Sequence, residues 1–166
     1  MRAKSYKPGV LLDGVVAGIA ATWLMGKVTE YLYQKENPRA REREDRARQG
    51  KTSYGTAAEK AAKLAGETLS DEERQLYGKR IHWALGAGAG AAYALLRDQV
   101  PAAAAAGGLL FGTVFFLLMD EGLVYALGLT PGPSEFPWQS HARGLAGHLA
   151  YGAVTERALT LLEGAA

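Results

Sequence analysis

The chain has 166 residues, 48% of them hydrophobic and 22% charged, with no cysteine and a formal net charge of +2. That length holds one domain. The lack of cysteine excludes disulfides and thiolate metal sites, and so small a net charge gives no basis for a nucleic-acid partner. A mean hydropathy of −0.09 hides segregation: nearly all the apolar content lies in four stretches, and most of the charge lies between the first two.

The N-terminal residues, from Arg2 to Lys7, are basic and precede an apolar run. No small-x-small cleavage site follows that run, which ends Trp23-Leu24-Met25-Gly26-Lys27, so it reads as an uncleaved membrane segment rather than a signal peptide. This first span covers about 9–33. A polar loop, 34–80, comes next. Its first part, NPRAREREDRARQGK, reads as solvated or irregular, with contact to anionic lipid headgroups as the alternative. Its second part, 56–69, has helical composition with alanines and leucines on one side, which predicts a short helix at the membrane surface or in solvent.

The second span, 81–98, is short alone, but the capping box Ser70-Asp71-Glu72-Glu73 lets its helix begin at Asp71. The third, 102–127, contains 18 residues without a charge, near the length that crosses a bilayer core. Pro101 suits its first turn, and Gly128 with Thr130-Pro131-Gly132-Pro133 stops it. The fourth, 141–162, is interrupted by His148, Glu156 and Arg157. The expected fold is all-α: an integral membrane bundle of four transmembrane helices with a long charged loop between helices 1 and 2. A soluble helical bundle is the alternative, disfavoured because a long apolar run is hard to bury in so small a domain.

If all four spans cross, the side holding both termini carries five Lys and Arg residues, against twelve in 34–80 plus Arg143 on the other. The excess places the long loop in the cytoplasm. Trp23, Tyr31, Tyr33, Trp83, Trp138 and Tyr151 lie near the span boundaries, as interfacial aromatics do.

In lipid, helices associate by close backbone approach at small residues. Each span carries such residues at i, i+4 spacing: Gly14, Gly18, Thr22 and Gly26 on the first, Gly86, Gly90 and Ala94 on the second, Gly108 and Gly112 on the third, Gly144 and Gly152 on the fourth. Residues 86–91 also fit G-x-G-x-x-A, but a dinucleotide loop needs a preceding strand, and this run lies inside an apolar helix.

Extended along the same faces, these rows reach ionisable groups. Up-and-down topology then gathers Lys27, Glu30, His82, Asp120, Glu121, His141 and His148 on one side of the membrane. Such residues are costly in lipid and turn toward the bundle interior or water. A self-satisfying network is the simplest reading, with Lys27 paired to Glu30 and His148 paired to Asp120 or Glu121. A metal site would draw on His82, Asp120, Glu121 and His148, although no E-x-x-H or H-x-x-x-H spacing supports it. Bis-histidine haem fits less well, because His82 and His148 start from different depths. A proton or ion path is a further reading, and no nucleophile with a base and orienting partner can be named.

The order His82-Trp83-x-x-Gly86, Tyr93, Asp120-Glu121, Gly128-Leu129 with a proline-rich turn, then His141 and His148-Leu149-x-Tyr151-Gly152 resembles the YagU-like family of small bacterial inner-membrane proteins. The resemblance covers mainly 81–156. It implies a multi-pass inner-membrane protein with no established activity, and makes His82, Asp120, Glu121, His141 and His148 the signature polar positions. The resulting expectation is a non-enzymatic accessory or scaffold protein with a structural His/carboxylate cluster; the alternative is an ion-, metal- or cofactor-binding membrane protein using that cluster. Its expected partners are the lipid bilayer and other membrane subunits or further copies of itself, and the sequence requires no cofactor.

Overall fold

The computed structural model describes residues 9–164, all of whose regular elements are helical. The basic N-terminal residues used in the charge count lie outside them. Helix α1 spans Val10–Lys35, α2 Pro38–Arg48, α3 Ser53–Leu64, α4 Asp71–Arg97, α5 Leu109–Leu118, α6 Val124–Ala126 and α7 Trp138–Gly164. A π-helical turn, Met119–Leu123, joins α5 to α6.

Local chemistry sets these boundaries. Asn37 caps α2 by accepting a hydrogen bond from the Arg39 N–H at 2.9 Å, and Pro38 takes the first helical position, where its missing N–H costs nothing. Thr52 caps α3, and Ser70 with Glu73 forms the reciprocal capping box that starts α4. Lys60 donates to the Leu127 carbonyl at 2.7 Å, tying α3 to the loop after α6.

Three expectations from the sequence need correction. The segment read as irregular is helix α2, because its cap and proline start a helix whose Ala40 and Glu44 are buried. The third span does not begin at 102. Pro101–Ala104 is a short 3₁₀ turn, Ala106, Gly107 and Gly108 take positive φ, and α5 starts only at Leu109. Gly108 must be glycine twice over: its φ is +87°, and a Cβ there would collide with the Gly152 carbonyl. The alanine run yields to that contact. Helix α3 also lies three residues earlier at its start than 56–69, and its last turn gives way to Gly66 at φ +79°.

Packing follows the glycines. Helix α1 lies between α4 and α7, α5 packs on α7, and α3 packs on α4. At the α1–α4 crossing, a Cβ on Gly14 would stand 2.6 Å from Ala91 Cα, and one on Gly18 would stand 2.5 Å from the Gly86 carbonyl oxygen. Gly90 meets Gly14 in return, while Gly112 and Gly152 bring α5 and α7 together in the same way. Gly144 instead faces the Phe116 ring. Gly26 does not belong to this set: nothing lies within 4 Å of its Cβ position. An i, i+4 row rotates about 40° per step, so three steps from Gly14 carry Gly26 off the interface.

Helix α1 and the segment Leu109–Ala126 are long and apolar enough to cross a membrane, with mean hydropathies of 1.4 and 1.6. Helices α4 and α7 do not reach that standard.

Replacing Gly90 by Val should separate α1 from α4 and lower stability by about 1–3 kcal/mol, since the obstructing atoms are backbone. Gly26→Ala should be neutral or slightly stabilising. Thermal unfolding of the detergent-purified variants, followed by circular dichroism, checks both.

Candidate functional site

A solvent-open cavity of about 340 Å³ lies where α1 ends, α4 begins, the π-turn joins α6, and α7 begins. Helices α2 and α3 contribute Glu44, Arg48, Ser53 and Tyr54 to its wall.

The π-turn explains how two consecutive carboxylates serve one site. On a regular α-helix, Asp120 and Glu121 would point about 100° apart. The wider turn lets both reach α7. His141 Nδ1 lies 2.6 Å from Glu121 Oε1, and His148 Nδ1 lies 3.7 Å from Asp120 Oδ2. His148 is 2% exposed, and its Nδ1 is 3.0 Å from the Gly144 carbonyl. A carbonyl only accepts, so Nδ1 carries the proton. His141 Nε2 lies 3.2 Å from the Pro133 carbonyl and must likewise donate. The remaining proton of that pair is therefore shared between His141 Nδ1 and Glu121.

Of the other predicted members, Lys27 and Glu30 stand apart, while His82 lines the same cavity. Lys27 and Glu30 bond one another at 3.5 Å with side chains 60% and 59% exposed, away from the histidines. His82 packs its ring against Tyr54, centroids 4.9 Å apart, and makes no ion pair among the described residues. The four candidate metal ligands are thus split: Glu121 turns to His141, Asp120 to His148 and His82 to Tyr54. Among the described residues, no group of three or more His, Asp or Glu side chains is placed to hold a metal ion.

Sequence reasoning missed the strongest ionic cluster. Arg143 on α7 donates to Glu36 after α1 and to both carboxylate oxygens of Glu44 on α2, the latter at 2.5 and 2.6 Å. Arg48 Nε and Ser140 Oγ also donate to Glu44, at 2.7 and 2.8 Å. Arg143 stacks over the Tyr33 ring at 5.0 Å. The i, i+4 pair Glu44–Arg48 was a visible signal. Arg143 is 99 positions from Glu44, and no pattern announces that contact. At the other end of the molecule, Tyr93 donates to Glu156 at 2.7 Å, and Arg97 pairs with Glu156 and Glu163.

Chemically, the cavity offers one hydrogen-bonded imidazole–carboxylate pair, His141–Glu121, and a His148 ring held by the Gly144 carbonyl with Asp120 nearby, beside a buried arginine–carboxylate clamp. The one serine beside His141, Ser140, gives its hydroxyl to Glu44, which leaves it unsuited as a nucleophile.

Burial pushes the Glu44 carboxyl up, but the hydrogen bond from Arg143, the charge of Arg48 and the hydrogen bond from Ser140 outweigh it and hold the group below the ordinary 4.5. A carboxylate with a lowered folded pKa stabilises fully above its unfolded value and loses that contribution as pH falls through the folded one. The clamp's contribution should be complete above about pH 4.5 and decline as pH falls from there through the lowered folded pKa. Glu44→Ala should cost about 3 kcal/mol at pH 7 by leaving Arg143 short of a partner, and should flatten the acid limb of a stability–pH curve measured by thermal melts.

Comparison with known proteins finds no match among family models, curated proteins or solved structures, so the chemistry of the site rests on its own residues.

Proposed function

We propose that this chain is a multi-pass inner-membrane protein of four crossings, acting as an accessory or scaffold component whose histidine–carboxylate pairs lock one end of its helix bundle. Membrane embedding is supported by the outer faces of the two most apolar helices. Only 28% of the apolar window of α1 and 17% of that of Leu109–Ala126 is buried, whereas the core helix of a soluble protein is mostly buried. Leu12, Trp23, Leu117 and Leu118 stand more than half exposed, and Leu11, Val16, Ile19, Leu110 and Val114 extend the surface around them. So much contiguous apolar area on a soluble monomer would promote association. In α4 and α7, Tyr93, His148 and Tyr151 are buried and Arg97 and Glu156 pair with one another, which suits helices that cross lipid with their polar groups inward. The resemblance of 81–156 to the YagU-like family agrees with this reading. The excess of Lys and Arg in 34–80 supports a cytoplasmic side for α2 and α3.

The lock is carried by one observation: the His141–Glu121 hydrogen bond at 2.6 Å joins the π-turn to α7, and His148 stands 3.7 Å from Asp120 across the same two elements. A second reading, binding of a small polar ligand or ion, is favoured by the cavity those pairs border.

The protein should stay in the membrane pellet after alkaline carbonate extraction. Asp120→Asn and His148→Ala should each lower stability by about 1–2 kcal/mol without releasing bound metal. Elemental analysis and thermal melts of the purified variants check this; stoichiometric metal in the wild type that is lost in His148→Ala would contradict the lock.

A further inference from the structure

Three cavities meet at one pair of rings. The polar chamber of about 340 Å³ shares Thr52, Tyr54 and His82 with a slot of about 400 Å³ between α3 and α4. A third void of about 20 Å³, room for one water, lies inside the bundle between His82 and His148 and is also bordered by Tyr54. Tyr54 and His82 therefore stand on all three walls.

These side chains are chemically idle. Among the described residues, the Tyr54 hydroxyl and both His82 ring nitrogens make no hydrogen bond, and the two rings simply pack together. His148 spends Nδ1 on Gly144, and its Nε2 bonds none of the described residues. Buried polar groups are normally hydrogen-bonded, and these groups face cavity space, where water or a ligand supplies the partner. Here an O–H donor, an imidazole with one donor and one acceptor nitrogen, and a further imidazole acceptor converge without partners. A head with carbonyl or hydroxyl oxygens would satisfy them.

The surroundings select the rest of the ligand. Asp120 and Glu121 border the chamber, and Arg48 and Arg143 are already committed to Glu44, so an anionic head is disfavoured. The slot is floored by Gly55 and Gly78, whose backbones approach so closely that a Cβ on Gly78 would stand 2.9 Å from Gly55 N. Its remaining wall includes Arg74, Gln75 and Lys79, whose methylene stems present apolar surface.

We infer that the Tyr54–His82 junction binds a neutral amphiphile, its oxygen-bearing ring head in the polar chamber and its apolar tail in the α3–α4 slot, as a quinone or quinol would sit. The chamber is shared with the histidine–carboxylate lock, whose Asp120, Glu121 and His141 line its wall, whereas Tyr54, His82 and the slot lie outside the lock. The site rests on the membrane reading only for the route by which the ligand arrives.

The test uses the detergent-purified full chain and decyl-substituted 1,4-benzoquinone, titrated by isothermal calorimetry, with decyl phosphate as the anionic comparison. Saturable one-to-one binding of the quinone is expected, with decyl phosphate weaker. Tyr54→Phe should weaken quinone binding about tenfold, because it removes one donor to the head. Gln75→Trp places a bulky ring across the slot from an exposed position and should weaken the decyl compound more than its methyl analogue, which decides the matter even if Tyr54→Phe unfolds. Uptake that does not saturate, or is unchanged in both variants, overturns the proposal, as does tighter binding of decyl phosphate. Because carbonate extraction tests membrane residence separately, failure of binding leaves that reading standing.

Discussion

Everything else in this structure depends on the backbone-to-backbone crossing of α1 and α4. Gly14 and Gly18 lie against Gly86, Gly90 and Ala91 so closely that no side chain fits between them. Such approach maximises dispersion contacts and brings Cα–H groups against carbonyl oxygens, which is how helices hold together where lipid is as apolar as leucine. Helices α5 and α7 repeat the solution through Gly108, Gly112 and Gly152. Since α1 also packs on α7, the two pairs become one body. Their glycine contacts draw the helices together, and beyond them, toward the π-turn end, the space between α1, α4, α5 and α7 widens into the polar chamber.

At that wide end, charge takes over from close packing. Arg143 joins the end of α1, α2 and α7 through Glu36 and Glu44, while the π-turn presents Asp120 and Glu121 to the two histidines of α7. A buried ion pair contributes little net stability, but losing one partner is costly. The clamp therefore fixes where α2 sits rather than driving folding. The position of α2 and α3 in turn brings Tyr54 against His82 and leaves the three cavities meeting there.

The sequence made part of this legible. Rows at i, i+4 identified the crossing glycines because close packing leaves a periodic trace. The same row misled at its end: after three steps Gly26, and after four Glu30, have rotated about 120° and 160° from Gly14, so both face away. Asp120 escapes that fate because the π-turn shifts the register by one residue, and no periodicity forecasts such a turn. The charge-free run at 102–119 looked like uninterrupted helix, yet the backbone demanded by Gly107 and Gly108 ended its first third. Helix α2 was hidden by its charge: its burial comes from Ala40 and from a glutamate satisfied by an arginine far along the chain.

The central claim is that a bundle held by glycine crossings presents its outer apolar faces to lipid and its polar chamber to water. With no native cysteine, single nitroxide labels can be placed one at a time on Leu12, Val16, Ile19, Leu117 and Leu118, and on Thr130 beside the chamber. In lipid nanodiscs, electron paramagnetic resonance relaxation should show the α1 and α5 labels accessible to molecular oxygen and shielded from a water-soluble nickel complex, with the reverse at Thr130. Equal access of the nickel complex to every label would contradict the account and mark the apolar faces as water-facing surface.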